Sequence, residues 1–255
     1  MTRWRTEVIG DCILHNADCR DVLETLGKVD AVVTDPPYSV SVAGSAFTSK
    51  GTRRLDFFNG DDDWQHMTDT VLERAAKVLD VLGERASMFW WCGHRQFGRL
   101  VELFEHAGYS TRFIVWRKEC PPPSPPGSGV QSGAELCVYA YPKGRTFHGN
   151  QINNVIDSDS YRFGQPGKVD HPTQKPLNVI QPLLNIATNP GDTVLDIFMG
   201  SGTTGVAAAK TGRKFIGIEI EPKYFDIACR RIEQAYKQPD FFVPQPAKPK
   251  QEAML

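Results

Sequence analysis

Compact hydrophobic runs alternate along the chain with segments in which hydrophobic residues recur every three or four positions. The compact runs predict strands, and the periodic segments predict amphipathic helices. The predicted strands cover residues 12–16, 30–34, 86–91, 111–116, 135–141, 193–196 and 214–219. The predicted helices cover residues 20–26, 64–82, 96–107 and 176–188, a segment that ends near 211, and 222–236. Strands that alternate with helices in this way indicate an open α/β sheet.

Four segments lack a hydrophobic period. Residues 39–62 predict a long mobile loop, residues 120–127 a stiff proline-rich connector, and residues 143–170 a polar irregular region. The repeated prolines of the tail, residues 239–255, predict disorder. With 255 residues, 40% of them hydrophobic, the chain has enough apolar material for one main domain, which we place at residues 1–238.

Charge and cysteine content narrow the class of protein only a little. Lys and Arg total 29 against 30 Asp and Glu, so the net charge of −1 gives no global attraction to nucleic acid, although a local basic groove would still bind it. The six cysteines form no C-x-x-C pair, so their spacing predicts neither a metal site nor a disulfide framework. With no apolar run long enough for a membrane span, we expect a cytoplasmic protein without a membrane partner.

A glycine loop follows the predicted strand at 193–196. Its sequence is Phe198-Met-Gly-Ser-Gly-Thr-Thr-Gly205, an alanine-rich helix comes next, and Glu219 closes the following strand. Glycines let a backbone approach a ligand closely, and an acid at the end of the next strand accepts both hydroxyls of a ribose. The pattern therefore predicts a site for an adenosine-containing cofactor. An ordinary tight turn between strand and helix is the alternative.

The position of this loop restricts the topology. Only one strand and two helices follow it before the proline-rich tail, too few to complete a doubly wound sheet on their own. The remaining strands must come from the N-terminal half. We therefore predict a circularly permuted order in which strand 30–34 lies beside strand 193–196.

That arrangement brings the tetrapeptide Asp35-Pro36-Pro37-Tyr38 to the edge of the sheet next to the glycine loop. An exocyclic amino nitrogen is a poor nucleophile because its lone pair is delocalised into the ring. The Asp35 carboxylate and the Pro36 carbonyl could accept its two N–H bonds and localise that pair, while Tyr38 stacks on the base. A Pro-Pro turn with an incidental acid and aromatic ring is the alternative interpretation.

With these residues in place, the chain resembles a DNA amino-methyltransferase of the permuted group, often called the beta group. The resemblance covers nearly the whole chain and rests on Asp35-Pro-Pro-Tyr38, His171-Pro-Thr-Gln-Lys-Pro176 and Asp196-Ile-Phe-Met-Gly-Ser-Gly-Thr203, in this order. It implies a Rossmann-like fold that depends on S-adenosylmethionine, with a mostly parallel sheet, an antiparallel edge hairpin and a circularly permuted motif order.

The resemblance also implies a set of cofactor contacts. Asp18 would contact the adenine of the cofactor, Glu219 its ribose, and Thr173 and Lys175 its methionine end. The remaining implied contacts are Asp35, Asp196, Phe198, Gly200, Ser201, Gly202 and Thr203. No metal is implied.

The function that follows is site-specific methylation of double-stranded DNA at the exocyclic amino group of a flipped base. Asp rather than Ser before Pro-Pro-Tyr favours N6 of adenine, and N4 of cytosine is the alternative. An RNA or protein-glutamine methyltransferase is disfavoured, and a catalytically idle DNA-binding module is the alternative from another class. A homodimer and a place in a restriction-modification system are further expectations, but the sequence identifies no nuclease partner.

We assign base recognition to residues 143–170, with the loop at 39–62 closing over the flipped base. A hydrophilic surface loop is the alternative for this region. Arg53 and Arg54 are candidates for phosphate contacts, Trp90 and Trp91 for the core, and Trp116 for an aromatic contact beside the target base. The groups in 143–170 that are able to read base edges are Arg145, Asn150, Gln151, Asn153, Asn154, Arg162 and Gln165.

Overall fold

The computed structural model describes residues 4–37, 64–121, 129–144, 147–149, 151–158, 167–171 and 173–237, with the backbone alone at 64–67. Several predictions concern residues outside this part of the chain. They are the loop at 39–62 with Arg53 and Arg54, the tail 239–255, and the individual residues Tyr38, Arg145, Asn150, Arg162 and Gln165.

The described residues form nine strands and six helices. The strands are β1 (Arg5–Ile9), β2 (Cys12–Asn16), β3 (Val29–Thr34), β4 (Leu82–Cys92), β5 (Tyr109–Lys118), β6 (Ala134–Pro142), β7 (Val155–Ser158), β8 (Thr193–Asp196) and β9 (Lys214–Glu219). The helices are α1 (Cys19–Leu23), α2 (Trp64–Leu79), α3 (His94–His106), α4 (Leu177–Ala187), α5 (Thr203–Lys210) and α6 (Pro222–Lys237).

All of these strands belong to one sheet, in the order β1-β2-β9-β8-β3-β4-β6-β5-β7. Neighbouring strands from β2 to β4 are parallel, and β1 adds an antiparallel hairpin at one edge. At the other end, β6 runs antiparallel between β4 and β5, and β7 is parallel to β5. The predicted α/β class, with a mostly parallel sheet and an antiparallel edge hairpin, is confirmed.

The two central strands carry the two motifs. Ala31 and Val32 of β3 pair with Val194 and Leu195 of β8, so the predicted adjacency is confirmed. Because parallel strands end at the same edge, the tetrapeptide after β3 and the glycine loop after β8 emerge side by side. Ligands of open α/β sheets bind at this edge, which we call the carboxyl edge.

Helices cover both faces of the sheet. Phe89 and Trp91 of β4 pack into the core beneath α4, α5 and α6, whereas Met88 and Trp90 pack into the core beneath α1, α2 and α3. Successive side chains of a strand point to opposite faces, so a strand buried on both sides is a continuous hydrophobic run. The prediction that Trp90 and Trp91 belong to the core is confirmed, since neither is exposed.

Two strands were absent from the sequence-based prediction. β1 mixes charged and apolar residues and gains its order from pairing with β2 in the hairpin. β7 is four residues long and lies inside the stretch 143–170 that we predicted to be irregular. The prediction of an irregular stretch is therefore wrong for β7, which pairs with the end of β5.

Candidate active site

Asp35 follows the last residue of β3 at the carboxyl edge. Its Oδ2 accepts a hydrogen bond of 2.6 Å from Nζ of Lys175, a residue just before α4. Its Oδ1 is buried and has no hydrogen-bond partner among the described residues. A buried acceptor without a donor is costly, and such atoms in native proteins call for an explanation. One oxygen of this carboxylate is thus held, and the other is available.

Lys175 belongs to a row of four alternating charges. Its Nζ also donates to Oε2 of Glu135 at 2.7 Å, and Nζ of Lys118 lies 2.7 Å from Oε1 of the same carboxylate. Lys118 ends β5 and Glu135 lies near the start of β6, so the antiparallel pairing of these strands brings both to the carboxyl edge. The order of the row is Asp35, Lys175, Glu135, Lys118.

Two tryptophans enclose this row. Nζ of Lys175 lies 4.9 Å from the ring centroid of Trp91, and Nζ of Lys118 lies 5.1 Å from that of Trp116. An ammonium over an indole face is attracted by the quadrupole of the ring. Trp116 is itself buried, and its Nε1 donates to the carbonyl of Ser158. The predicted contact of Trp116 with the target base stays a prediction.

The pKa values of the two carboxylates in the row are shifted in opposite directions. Burial raises the pKa of Asp35, and the nearby Lys175 ammonium opposes that rise. Burial also acts to raise the pKa of Glu135, but Lys175 and Lys118 together lower it to about 2. Glu135 is therefore a firmly ionised carboxylate between two cations, while Asp35 depends on Lys175 for its charge.

The glycine loop joins β8 to α5 and is held by Glu219. Oε2 of Glu219 accepts from the backbone N–H of Gly200, and Oε1 accepts from that of Glu221. Gly200 has a φ of 50°, and a Cβ there would lie 2.8 Å from Nε2 of His171. The loop thus brings backbone, without a side chain, against the His171 segment.

Gly202 lies against α6. The predicted approach of its backbone to the cofactor stays a prediction. Its φ is 77°, and a Cβ there would lie 2.8 Å from Cβ of Ala228 on α6. The close approach that needs a glycine at this position is between the loop and α6, because helix and loop pack without a gap.

Asp18, Phe198 and Glu219 line one pocket beside the glycine loop. Asp18 caps α1, where its Oδ1 accepts from the backbone N–H of Arg20, and its carboxylate also pairs with the Arg20 guanidinium. Burial raises the pKa of Glu219. The other residues that line the pocket are Ala17, Cys19, Pro37, Thr70, Val71, Arg74, Ile197, Ile218 and Ile220.

Asp196 ends β8 and has donors on both of its oxygens. Oδ1 accepts from the Thr34 hydroxyl at 2.8 Å and from the Phe198 N–H at 3.1 Å, and Oδ2 accepts from the Thr204 hydroxyl at 2.8 Å. Burial raises the pKa of Asp196 to about 7, although these hydrogen bonds act to lower it. Asp196 ties β3, β8 and α5 together at the carboxyl edge.

Ser201 and Thr203 are held by a residue that the sequence analysis missed. Arg231 of α6 donates through one guanidinium nitrogen to the Ser201 carbonyl, the Ser201 hydroxyl and the Thr203 hydroxyl. The Thr203 hydroxyl in turn donates to the backbone carbonyl of Lys175. Arg231 lies in a helix without a motif, so nothing in its sequence context marks it.

The His171 segment lies against the glycine loop. The His171 ring packs edge-on against Tyr224 at 4.5 Å, and burial lowers its pKa to about 4. Gln174 bonds the backbone of Gly167 and Val169, which closes the turn before α4. Thr173 is exposed, and the Lys175 ammonium, which we expected at the methionine end of the cofactor, bonds Asp35 and Glu135.

The sequence of this chain is similar to those of known DNA methylases. The family model described as DNA methylase matches residues 29–230. The chain belongs to this DNA methylase family. It is 27% identical to the type II methyltransferase M.HinfI of Haemophilus influenzae, with 88% of this chain and 68% of that protein covered. It is 30% identical to the putative methylase YubD of Escherichia coli K12, with 90% and 97% covered.

Solved structures agree with the family. The chain is similar to the M1.HpyAVI–SAM complex with a TM-score of 0.66 and 29% identity, and 86% of this chain and 98% of that one are covered. PvuII DNA methyltransferase, described as cytosine-N4-specific, gives a TM-score of 0.69 at 19% identity, covering 90% and 93%. The latter likeness shows the fold alone. Together these findings confirm the predicted methyltransferase fold and the predicted cofactor, S-adenosylmethionine.

In this methylase the described residues of the predicted recognition region lie at two places, near the amino ends and near the carboxyl ends of the parallel strands. His148 and Gln151 line a groove with Asn189 and Arg213, near the end of α4 and the starts of β8 and β9. That groove lies at the edge opposite the active site. By contrast, β7 runs towards the carboxyl edge and ends there at Ser158, beside Lys118. His148 and Gln151 therefore lie at the end of the sheet opposite to Asp35.

Two features are absent from the described residues. Among them, no group of three or more His, Cys, Asp or Glu side chains is arranged to hold a metal ion. Nor does the described part of the chain contain a helix long and apolar enough to cross a membrane.

Glu135 and Lys118 are further site residues that the sequence analysis missed. Glu135 begins a hydrophobic strand, and Lys118 ends another, so each resembles an ordinary solvated strand end. Their partners are far away in sequence, since Glu135 and Lys175 are separated by 40 residues. Only the register of β5 against β6 reveals that Glu135 and Lys118 are neighbours.

Proposed function

We propose that this methylase transfers a methyl group from S-adenosylmethionine to N6 of an adenine in DNA. The observation that carries the proposal is the Asp35 carboxylate, with Oδ2 bonded to Lys175 and Oδ1 buried without a donor among the described residues. A target amino group is a donor of the kind that this oxygen lacks. The arrangement matches the chemistry that methylation of an exocyclic amine requires.

Asp35 and Pro36 act on the amino group. Oδ1 of Asp35 accepts one N–H bond of the base and the Pro36 carbonyl accepts the other, which directs the nitrogen lone pair out of the ring plane. When bound, the cofactor would supply an electrophilic methyl on its sulfonium. The N–C bond forms as the S–C bond breaks, the neutral thioether leaves, and the nitrogen gives up its surplus proton along the hydrogen bond to Asp35. Fixed acceptors of this kind act through position, because they need no reorganisation when the nitrogen attacks.

Lys175 keeps Asp35 ready for this task. Burial would otherwise favour the protonated acid, which accepts hydrogen bonds less well, and the ammonium on Oδ2 favours the carboxylate. The same bond leaves Oδ1 open to the base. The role of Lys175 in this proposal thus differs from the methionine contact that the resemblance implied.

The residues beside the glycine loop fit S-adenosylmethionine. Each Glu219 oxygen accepts one backbone N–H and keeps a lone pair for a ribose hydroxyl. Asp18 and the half-buried Phe198 line the same pocket and would hold the adenine. We assign the methionine end to Thr173 and to the loop residues Gly200, Ser201 and Thr203.

We propose adenine over cytosine because an Asp and not a Ser, Asp35, stands before Pro-Pro-Tyr. Both bases present an exocyclic amine, so the geometry at Oδ1 suits either one, and N4 of cytosine is the outcome that would change only the base. Because a paired amino group points into the duplex, the target nucleotide must leave the stack to reach Asp35. We propose that residues 159–170 of the predicted recognition region contact the duplex, because β7 leads to the carboxyl edge just before them. A homodimer stays a prediction.

The test is to identify the modified nucleoside. Purified protein is incubated with unmethylated genomic DNA and cofactor carrying a labelled methyl group, and the digested nucleosides are separated and weighed by mass spectrometry. The expected product is N6-methyladenine, formed far more slowly when Asp35→Ala replaces the wild type. Label in N4-methylcytosine would overturn the base assignment, and label in 5-methylcytosine or no label in DNA would overturn the reaction class.

A further inference from the structure

We propose that Glu135 is a positioning residue for methyl transfer: it holds the Lys175 ammonium on Oδ2 of Asp35, so that Oδ1 stays open to the target amino group. The inference rests on the proposed function of Asp35 and adds a residue that acts through another. Glu135 itself does not contact the base in this account.

The contacts of Glu135 support a role of this kind. Its Oε2 receives Nζ of Lys175 and its Oε1 receives Nζ of Lys118, each at 2.7 Å. Both carboxylate oxygens are thus engaged by cations, whereas Asp35 has one oxygen engaged and one without a donor in the part of the chain that the structure describes. The Glu135 side chain is 19% exposed and that of Lys175 is 7% exposed, so water screens this pair only weakly. Glu135 is thus paired on both oxygens, and one of these pairs holds the Lys175 ammonium.

Geometry explains why Lys175 needs a second partner. A lysine ammonium is a flexible point charge with three donors, and alone beside a carboxylate it can bridge both oxygens. With Glu135 pulling from another side, the ammonium stays on Oδ2. Without Glu135, the ammonium loses this pull and can turn towards Oδ1, where it competes with the amino group.

The row also balances charge around Asp35. Two carboxylates and two ammoniums alternate, so loss of Glu135 leaves an excess positive charge and loss of Lys118 an excess negative one. Glu135 acts to raise the pKa of Asp35, and Lys118 acts to lower it. The two substitutions therefore have opposite signs at Asp35, which a merely structural role does not predict.

Other titratable groups face Asp35 from neighbouring strands and do not change that sign. Cys92 on β4 and Cys137 on β6 are buried thiols, and burial raises the pKa of Cys92 to about 12 and that of Cys137 well above its usual value. They stay neutral in a neutral assay. Asp196 on β8 interacts with Asp35 electrostatically, and it is the same in every variant compared below.

The experiment measures the single-turnover rate of methyl transfer against pH for E135Q and K118Q in the full chain. For E135Q we expect a rate loss on the order of 100-fold, as a misplaced acceptor produces, with unchanged affinity for S-adenosylmethionine. Because Asp35 must be ionised, activity falls as pH drops through its pKa. The acidic limb of the profile of rate against pH should therefore move to lower pH in E135Q and to higher pH in K118Q.

Matched controls and a conservative variant separate positioning from folding. Glu84→Gln on β4 and Lys214→Gln on β9 remove exposed charges at the far edge of the sheet and should leave the rate and the limb unchanged. E135D keeps the charge but shortens the reach, so its limb should stay at the wild-type pH while its rate falls. Thermal melts of every variant show whether it is folded.

Two outcomes would overturn the inference. The first is a wild-type rate in folded E135Q; the second is limbs that move in the same direction, or do not move, in E135Q and K118Q. If E135Q does not fold, the rate of folded E135D decides alone, and a wild-type rate in that variant would overturn the inference. An active Asp35→Ala protein would instead defeat the proposed function, so the two failures are distinguishable.

Discussion

Two aspartates end the adjacent central strands, and their surroundings differ sharply. Asp35 has one oxygen without a donor among the described residues, while Asp196 receives two hydroxyls and a backbone N–H. The first is suited to a substrate donor, and the second to holding the strands and α5 together. Sequence alone shows an acid after a buried strand in both cases, so their roles separate only when the neighbours are known.

Asp196 should make folding stability depend on pH. Its pKa in the folded protein is raised to about 7, so its contribution to the free energy of unfolding is fully present below about pH 4, its usual unfolded pKa. That contribution falls as pH rises towards 7. Urea unfolding of the wild type and Asp196→Asn should show a stability difference that changes in this window, and a constant difference would contradict the assignment.

Replacing Gly202 should lower the stability of the fold. Gly202→Ala places a Cβ against Ala228 in a left-handed backbone, and we expect it to cost about 2–4 kcal/mol of the free energy of unfolding. Gly98→Ala on α3 is the control, since a Cβ there meets no atom within 4 Å, and it should be neutral or stabilising. A Gly202→Ala protein as stable as the wild type would contradict this packing role.

Residues that act through distant partners are the ones the sequence could not reveal. Asp35, Gly200, Gly202 and Glu219 follow strands within recognisable motifs, so their neighbourhood could be predicted. Glu135 and Arg231 have common residue types at ordinary positions, and their importance comes from contacts made by the fold. The same reason explains why the sequence did not reveal the bond between Lys175 and Asp35.

At the scale of elements, α6 supports the glycine loop through Arg231. Replacing it with methionine removes three hydrogen bonds to Ser201 and Thr203, and we expect S-adenosylmethionine to bind on the order of tenfold more weakly. Arg230→Met, an exposed neighbour on the same helix, is the matched control. Calorimetry that gives equal affinities for the two variants would remove this support role from α6.

The strand and helix pattern was predictable wherever an element is buried on a long apolar face. β3, β4, β8 and β9 lie at the centre of the sheet, and their hydrophobic runs located them. β1 and β7 lie at its two edges, where pairing with a neighbour stabilises short and partly polar segments. Such strands depend on tertiary pairing more than on their own composition.

At the scale of the whole molecule, the near-neutral charge of −1 means that DNA binding must rely on local basic groups. Arg53 and Arg54 are our candidates, although they lie outside the described residues. Alanine at either position should weaken binding to every DNA sequence and reduce the slope of log affinity against log salt by about 0.9. Arg112→Ala on β5 is the control, and an unchanged slope in the Arg53 and Arg54 variants would place the phosphate contacts elsewhere.

The central claim is that Asp35 activates the amino group of the target base. The measurement that tests it most directly is the single-turnover rate of methyl transfer by Asp35→Ala, with cofactor and DNA affinity measured in parallel. We predict a rate loss of roughly 100-fold or more, as for removal of a single preorganised group, with both affinities retained. Methyl transfer at close to the wild-type rate in the folded variant would contradict the account.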